Sequence, residues 1–132
     1  LKAGGAGAIL GVTLALAPLF SAAAADAKRG EAVYARCLAC HAVEYDRTGP
    51  RHCGLIGRRA GTVPGFAYSE AMKRSGITWN AKTLDRFIAN PLKTVPGTSM
   101  GYDGVKDAKE RADLIAYLES VSPSCAVPRP AR

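Results

Sequence analysis

The sequence predicts an all-α fold of about four short helices joined by long loops. Three observations lead there. No stretch alternates polar and apolar residues with period two, apolar residues recur at helical spacing behind capping residues, and glycine and proline crowd the segments between. The first helix is expected over 26–36, with Asp26 as its cap and Ala27, Val33 and Tyr34 set among the charges Lys28, Arg29, Glu31 and Arg36. Residues 48–65 carry Gly49, Pro50, Gly54, Gly57, Gly61, Pro64 and Gly65 and must be loop and turn. Tyr68 to Ser75 reads as two helical turns stopped by Gly76. Asn80 to Ala89 is a helix capped by Asn80, with Leu84, Phe87 and Ile88 on one face and Pro91 as its stop. Residues 93–104 form a second long loop around Pro96, Gly97, Gly101 and Gly104. Asp107 with Glu110 has capping-box spacing, and Leu114, Ile115, Tyr117 and Leu118 give the last helix its apolar face.

A chain of 132 residues has room for one domain and excludes a multidomain enzyme. Its first 25 residues carry Lys2 as their one charge. An apolar run from Ile9 to Phe20 leads into Ser21 and four alanines before polarity returns at Asp26. This is the secretory pattern, with cleavage expected at Ala23-Ala24-Ala25. The run is short of the ~20 residues that span hydrocarbon, so a retained anchor is the lesser reading. The expected organisation is a leader at 1–25 and one domain at 26–132 with a tail from about 121, placed in the periplasm. The formal charge of +7 suits an anionic partner. Nucleic acid is disfavoured, because export removes the chain from it and the aromatics are not interleaved with the basic residues.

Cys37-Leu38-Ala39-Cys40-His41 closes the first helix, and this spacing is that of c-type haem attachment. Two thiols three positions apart share one helical turn and can add to the two vinyl groups of one porphyrin. The histidine that follows is brought beneath the iron. The competing readings are a redox dithiol, which usually opens a helix, and a zinc site, which needs four ligands. His52 and Cys53 are the spare ligands, and being adjacent they suit a tetrahedron poorly. For the second axial position the sequence offers Met72, Met100 and His52. Met72 sits where core filling is common, and His52 lies in a tight loop on the proximal side. Met100, in the kinked loop from Val95 to Gly101, is the expected ligand.

Together these residues resemble the class I cytochromes c, the mitochondrial type and its bacterial relatives. The resemblance runs through Gly30 to His41, Thr48-Gly49-Pro50, Gly54 to Arg58, Pro64-Gly65-Phe66 with Tyr68, Ser75 to Trp79, Asn90-Pro91, Pro96-Gly97-Thr98 with Met100, and Arg111 to Leu118. It implies a cytochrome c fold wrapped around one covalent haem c, with thioethers at Cys37 and Cys40 and axial ligands His41 and Met100. Pro50 would offer its carbonyl to His41, and Arg58, Tyr68 and Trp79 would hold or compensate a buried haem propionate. Gly30 would let the first helix cross the last, with Tyr34 packing near Leu114 and Tyr117. Three departures stand out. Phe87 occupies the position of a tyrosine that touches the methionine sulfur, Tyr102 replaces an exposed-edge phenylalanine, and Arg51-His52-Cys53 and the tail from Ser122 have no mitochondrial counterpart.

Cys53 and Cys125 remain after haem attachment, and an oxidising compartment favours their pairing over two buried free thiols. Closing a loop of roughly 70 residues would stabilise by ~4 kcal/mol in the chain-entropy model. The function implied is that of a monomeric one-electron carrier, not an enzyme, working between larger redox complexes. Arg36, Arg47, Lys73 and Lys93 would steer it onto acidic partner surfaces. Membrane contact would come only through those complexes or an uncleaved leader. The rival is a haem protein whose sixth site opens to peroxide or a gas, and the lack of a distal His or Arg beside Met100 disfavours its peroxidase form.

Overall fold

Asp26 starts the first helix as the sequence requires: its carboxylate accepts the Arg29 backbone N–H at 2.8 Å. Helix α1 then runs Ala27–Tyr34 and tightens into a 3-10 turn, Ala35–Cys37. In this computed structural model the described residues are Gly4 and 23–125. The expected leader, apart from Gly4 and Ala23 to Ala25, and the tail beyond Cys125 lie outside them. Among the described residues no helix is long and apolar enough to cross a membrane.

Helix α2 (Glu70–Arg74) is capped by Ser69, whose hydroxyl accepts the Met72 N–H. Helix α3 (Ala81–Ala89) opens with a full capping box. The Asn80 side chain accepts the Thr83 N–H, and the Thr83 hydroxyl accepts the Asn80 N–H. Its apolar stripe, Leu84, Phe87 and Ile88, is buried as expected, and each such side chain stabilises by about 1.5–3 kcal/mol. Helix α5 (Ala108–Val121) is capped by Asp107 and followed by a 3-10 turn, Ser122–Ser124.

Two expectations are corrected. Pro91 does not simply end α3. Asn90 turns extended and caps a further turn, α4 (Pro91–Thr94), in which proline at the first position costs no hydrogen bond. The loop expected over 93–104 therefore begins after Thr94. Glu110 does not complete a capping box, because its carboxylate is held by the Arg36 guanidinium at 2.6 and 2.8 Å.

The architecture is all-α, with no strand among the described residues beyond an isolated bridge between Arg59 and Thr78. Helix α1 crosses α5 at Gly30, and the rings of Tyr34 and Tyr117 meet at 5.0 Å. Helix α3 also packs on α5, tied by the Arg111–Asp85 pair at 2.8 Å. Val33, Tyr34, Leu55, Trp79, Leu114 and Leu118 belong to the shared core. Cys37, Val43, Tyr68, Met100 and Tyr102 border it from the loops. The fold thus brings the chemistry-bearing loops to the rim of one apolar interior.

Candidate functional site

The segment Cys37 to His41 is one helical turn. The Cys37 carbonyl accepts the N–H of Cys40 at 3.0 Å and of His41 at 2.9 Å. Both thiols are free, Cys40 exposed and Cys37 half-buried, and burial raises the Cys37 pKa against the pull of Arg36.

His41 follows on the buried side. Its Nδ1 donates to the Pro50 carbonyl at 2.8 Å. A carbonyl only accepts, so the proton resides on Nδ1 and Nε2 keeps its lone pair. Burial lowers the His41 pKa, opposed by that bond, and the ring is neutral. The Gly49 amide donates to the Cys40 carbonyl and draws the loop over the ring. A β-carbon at Gly49 would sit 2.2 Å from His41 Cε1, so the cradle admits only glycine.

Arg58 and Trp79 are brought together by the backbone. The Trp79 N–H donates to the Arg58 carbonyl at 2.9 Å, and the Gly57 N–H donates to the Trp79 carbonyl at 2.8 Å, which zips the two loops together. Arg58 turns its half-buried guanidinium onto the carbonyls of Arg51 (2.9 Å) and Cys53 (3.0 Å). Burial pushes its pKa down, and no carboxylate pairs with it among the described residues. A partly desolvated cation with only neutral acceptors is suited to an anion. The Tyr68 hydroxyl accepts the Val63 N–H at 3.3 Å. Met100 lies half-buried in its loop, its N–H donating to the Thr98 hydroxyl at 3.2 Å, whereas Met72 is core filling.

The residues present fit one covalently held haem: two free thiols on a single turn, an imidazole with its lone pair reserved, a half-buried thioether bordering the same apolar core, and an unneutralised arginine. They do not fit zinc, since no three of His, Cys, Asp and Glu cluster as a metal site among the described residues. The family described as "Cytochrome c" matches residues 27–122. The chain belongs to the cytochrome c family.

Cytochrome c2 of Blastochloris viridis is 43% identical over 114 residues, 84% of this chain and 90% of the relative. Cytochrome c of Tetrahymena pyriformis is 54% identical over 98 residues, 73% of this chain and 89% of its own. Among solved structures, cytochrome cH from Methylobacterium extorquens superposes with a TM-score of 0.70 at 44% identity, over 72% of this chain and 98% of that one. As a cytochrome c the chain has the expected fold, carries one covalently bound haem c, and is an electron carrier that acts with redox partners rather than an enzyme.

Several features escape sequence reasoning. The ring of His52 stacks directly on His41 with centroids 4.3 Å apart, and its Nδ1 is hydrogen-bonded to the Tyr34 hydroxyl at 2.9 Å. Burial, reinforced by His41 and Arg58, lowers the His52 pKa to about 3, so this imidazole is neutral. The expected steering charges are also less free than they read. Arg36 is paired with Glu110, Lys73 with Glu70, and Arg47 donates to the Leu38 carbonyl at 2.6 Å. Lys93 is exposed and has no ion pair among the described residues.

Proposed function

We propose that this chain is an exported, monomeric one-electron shuttle whose haem is attached through Cys37 and Cys40 and ligated by His41 and Met100. The observation that carries this reading is the His41–Pro50 bond on the turn that presents both free thiols. When bound, haem c supplies an iron that gains and loses one electron. Pro50 fixes the tautomer of His41, so its Nε2 lone pair stays available in either oxidation state. A methionine opposite a histidine raises the potential relative to stronger donors. Arg58, with Tyr68 and Trp79, would compensate a propionate, whose burial would be costly unpaired.

The apolar run and alanine cluster at residues 9–25 support export to the periplasm, with 26–132 as the working domain. An oxidising compartment agrees with a Cys53–Cys125 disulfide, for which the two α-carbons stand 4.7 Å apart. Lys93, exposed and without an ion pair among the described residues, would guide docking onto acidic surfaces of partner complexes. Visible spectra of both oxidation states and a redox titration of the holoprotein and of Met100→Ala test the reading. Six-coordinate low-spin iron in both states, lost in Met100→Ala, is expected. A five-coordinate spectrum in the unaltered protein would instead favour the rival with an open sixth site.

A further inference from the structure

We propose that His52 is a positioning residue for the axial imidazole: it fixes the plane of the His41 ring by stacking on it and is itself held by Tyr34. The inference rests on His41 being the proximal ligand. Pro50 grips the His41 ring at one edge, through Nδ1, and such a bond by itself leaves the ring free to rock about it. The face of the ring is covered by His52, with planes inclined by only 22°. His52 in turn has little freedom. Its backbone N–H donates to the Ala42 carbonyl at 3.1 Å, and the next residue's N–H donates to Val43 at 2.7 Å. Its Nδ1 is bonded to the hydroxyl of Tyr34, a residue only 3% exposed in the α1–α5 crossing. Beyond it, Gly54 N–H donates to the Ser122 carbonyl at 2.6 Å, which anchors the loop to the end of α5. A chain of contacts therefore runs from the helix crossing through Tyr34 and His52 to the face of His41.

The nature of the group matters as well as its shape. The His41 ring becomes more positive when the iron it ligates is oxidised. A polar, polarisable imidazole against its face favours that state more than an aliphatic side chain of similar bulk would. His52 thus lowers the potential while holding the ring still.

The test compares the holoprotein with His52→Leu, His52→Phe and Tyr34→Phe, reading the reduction potential, the hyperfine-shifted proton resonances of the ferric His41 ring, and the melting temperature. His52→Leu is expected to shift the oxidised-to-reduced ratio at fixed potential about threefold toward reduced. That is about 30 mV at 59 mV per tenfold, and it comes with displaced ring resonances. His52→Phe, which keeps a flat ring, is expected to return those resonances toward their original positions. Tyr34→Phe is expected to move both readouts the same way as His52→Leu, by less. Potential and resonances unchanged in His52→Leu would overturn the proposal, whatever happens to the melting temperature. Should that variant fail to accumulate, unchanged readouts in Tyr34→Phe overturn it equally. An unaltered protein lacking histidine ligation would instead defeat the underlying reading before any variant is compared.

Discussion

Gly30 and Asp113 are in such close approach that a β-carbon on Gly30 would lie 1.9 Å from the Asp113 carbonyl oxygen. Backbone meets backbone there, so no side-chain rotation relieves the clash. Gly30→Ala must separate α1 from α5 and loosen the Tyr34–Tyr117 contact beside it. A loss of about 3 kcal/mol is expected from overpacking of this kind, read from the denaturant midpoint. Wild-type stability in that variant would mean the crossing is wider than described.

The Asp113 side chain gathers the same junction from the other side. Its buried carboxylate accepts from Arg29 at 2.8 and 3.0 Å, from the Asp26 backbone at 2.8 Å and from Lys109 at 3.2 Å. The Arg29 bonds, against the opposing effect of burial, hold its pKa well below the ordinary 3.8. A carboxylate depressed on folding contributes stability above its unfolded pKa and loses it as pH falls toward the folded value. Urea midpoints measured between about pH 5 and 2 should therefore decline in the native protein. Asp113→Asn should be less stable at neutral pH and decline less steeply. Parallel curves would remove Asp113 from the acid limb.

The sequence revealed more of the helices than of what lies between them, for a physical reason. Asp26, Asn80 and Asp107 act within three residues of themselves, so local chemistry fixes where α1, α3 and α5 begin. Proline is ambiguous locally: Pro91 ends one helix and opens another, and only the extended backbone of Asn90 decides. Glu110 had two possible partners, and the one chosen, Arg36, lies 74 residues away. Cys37, Cys40 and His41 could be read together as a candidate site because they share a turn. The stack of His52 on His41 was not, since it depends on a loop closing across the Ala42 and Val43 carbonyls. The available signal was a histidine two positions after the proline whose carbonyl receives His41.

The proposed Cys53–Cys125 link spans 72 residues and fastens the loop of His52 to the end of α5. Constraining so long a segment in the unfolded chain is worth about 4 kcal/mol in the chain-entropy model. The double variant Cys53→Ala, Cys125→Ala should lose stability of that order while keeping its haem, because the attaching thiols are elsewhere. Two alkylatable thiols in the native protein, beyond those used for haem, would show that no link forms.

Docking should depend on Lys93 more than on a simple count of positive charges suggests. Arg36 and Lys73 face Glu110 and Glu70 and are locally neutralised. Lys93→Gln is expected to slow electron transfer to an acidic partner by about twofold to fivefold at low salt. The difference should vanish near 1 M salt, where the screening length is ~3 Å. Stopped-flow rates across that range check it, and equal rates at low salt would assign steering to other residues.

Gly49 gives the sharpest separation between attaching the haem and ligating its iron. Its φ is not positive, so alanine suits the backbone, and only the approach of His41 forbids a side chain. A β-carbon would lie 2.6 Å from both ring nitrogens of His41, and the ring or the loop must move. The loop is poorly placed to yield, since the Gly49 N–H donates to the Cys40 carbonyl at 2.6 Å and its own carbonyl accepts the Arg47 N–H at 2.9 Å. The ring should therefore be displaced and its bond to Pro50 weakened. Gly49→Ala should retain the haem mass adduct, because Cys37 and Cys40 are untouched, while the ferric spectrum loses low-spin character. Stability should fall by about 2 kcal/mol, within the range for overpacking. An adduct with an unaltered ferric spectrum would mean that His41 is held without the help of Gly49, and the close cradle would then have no bearing on ligation.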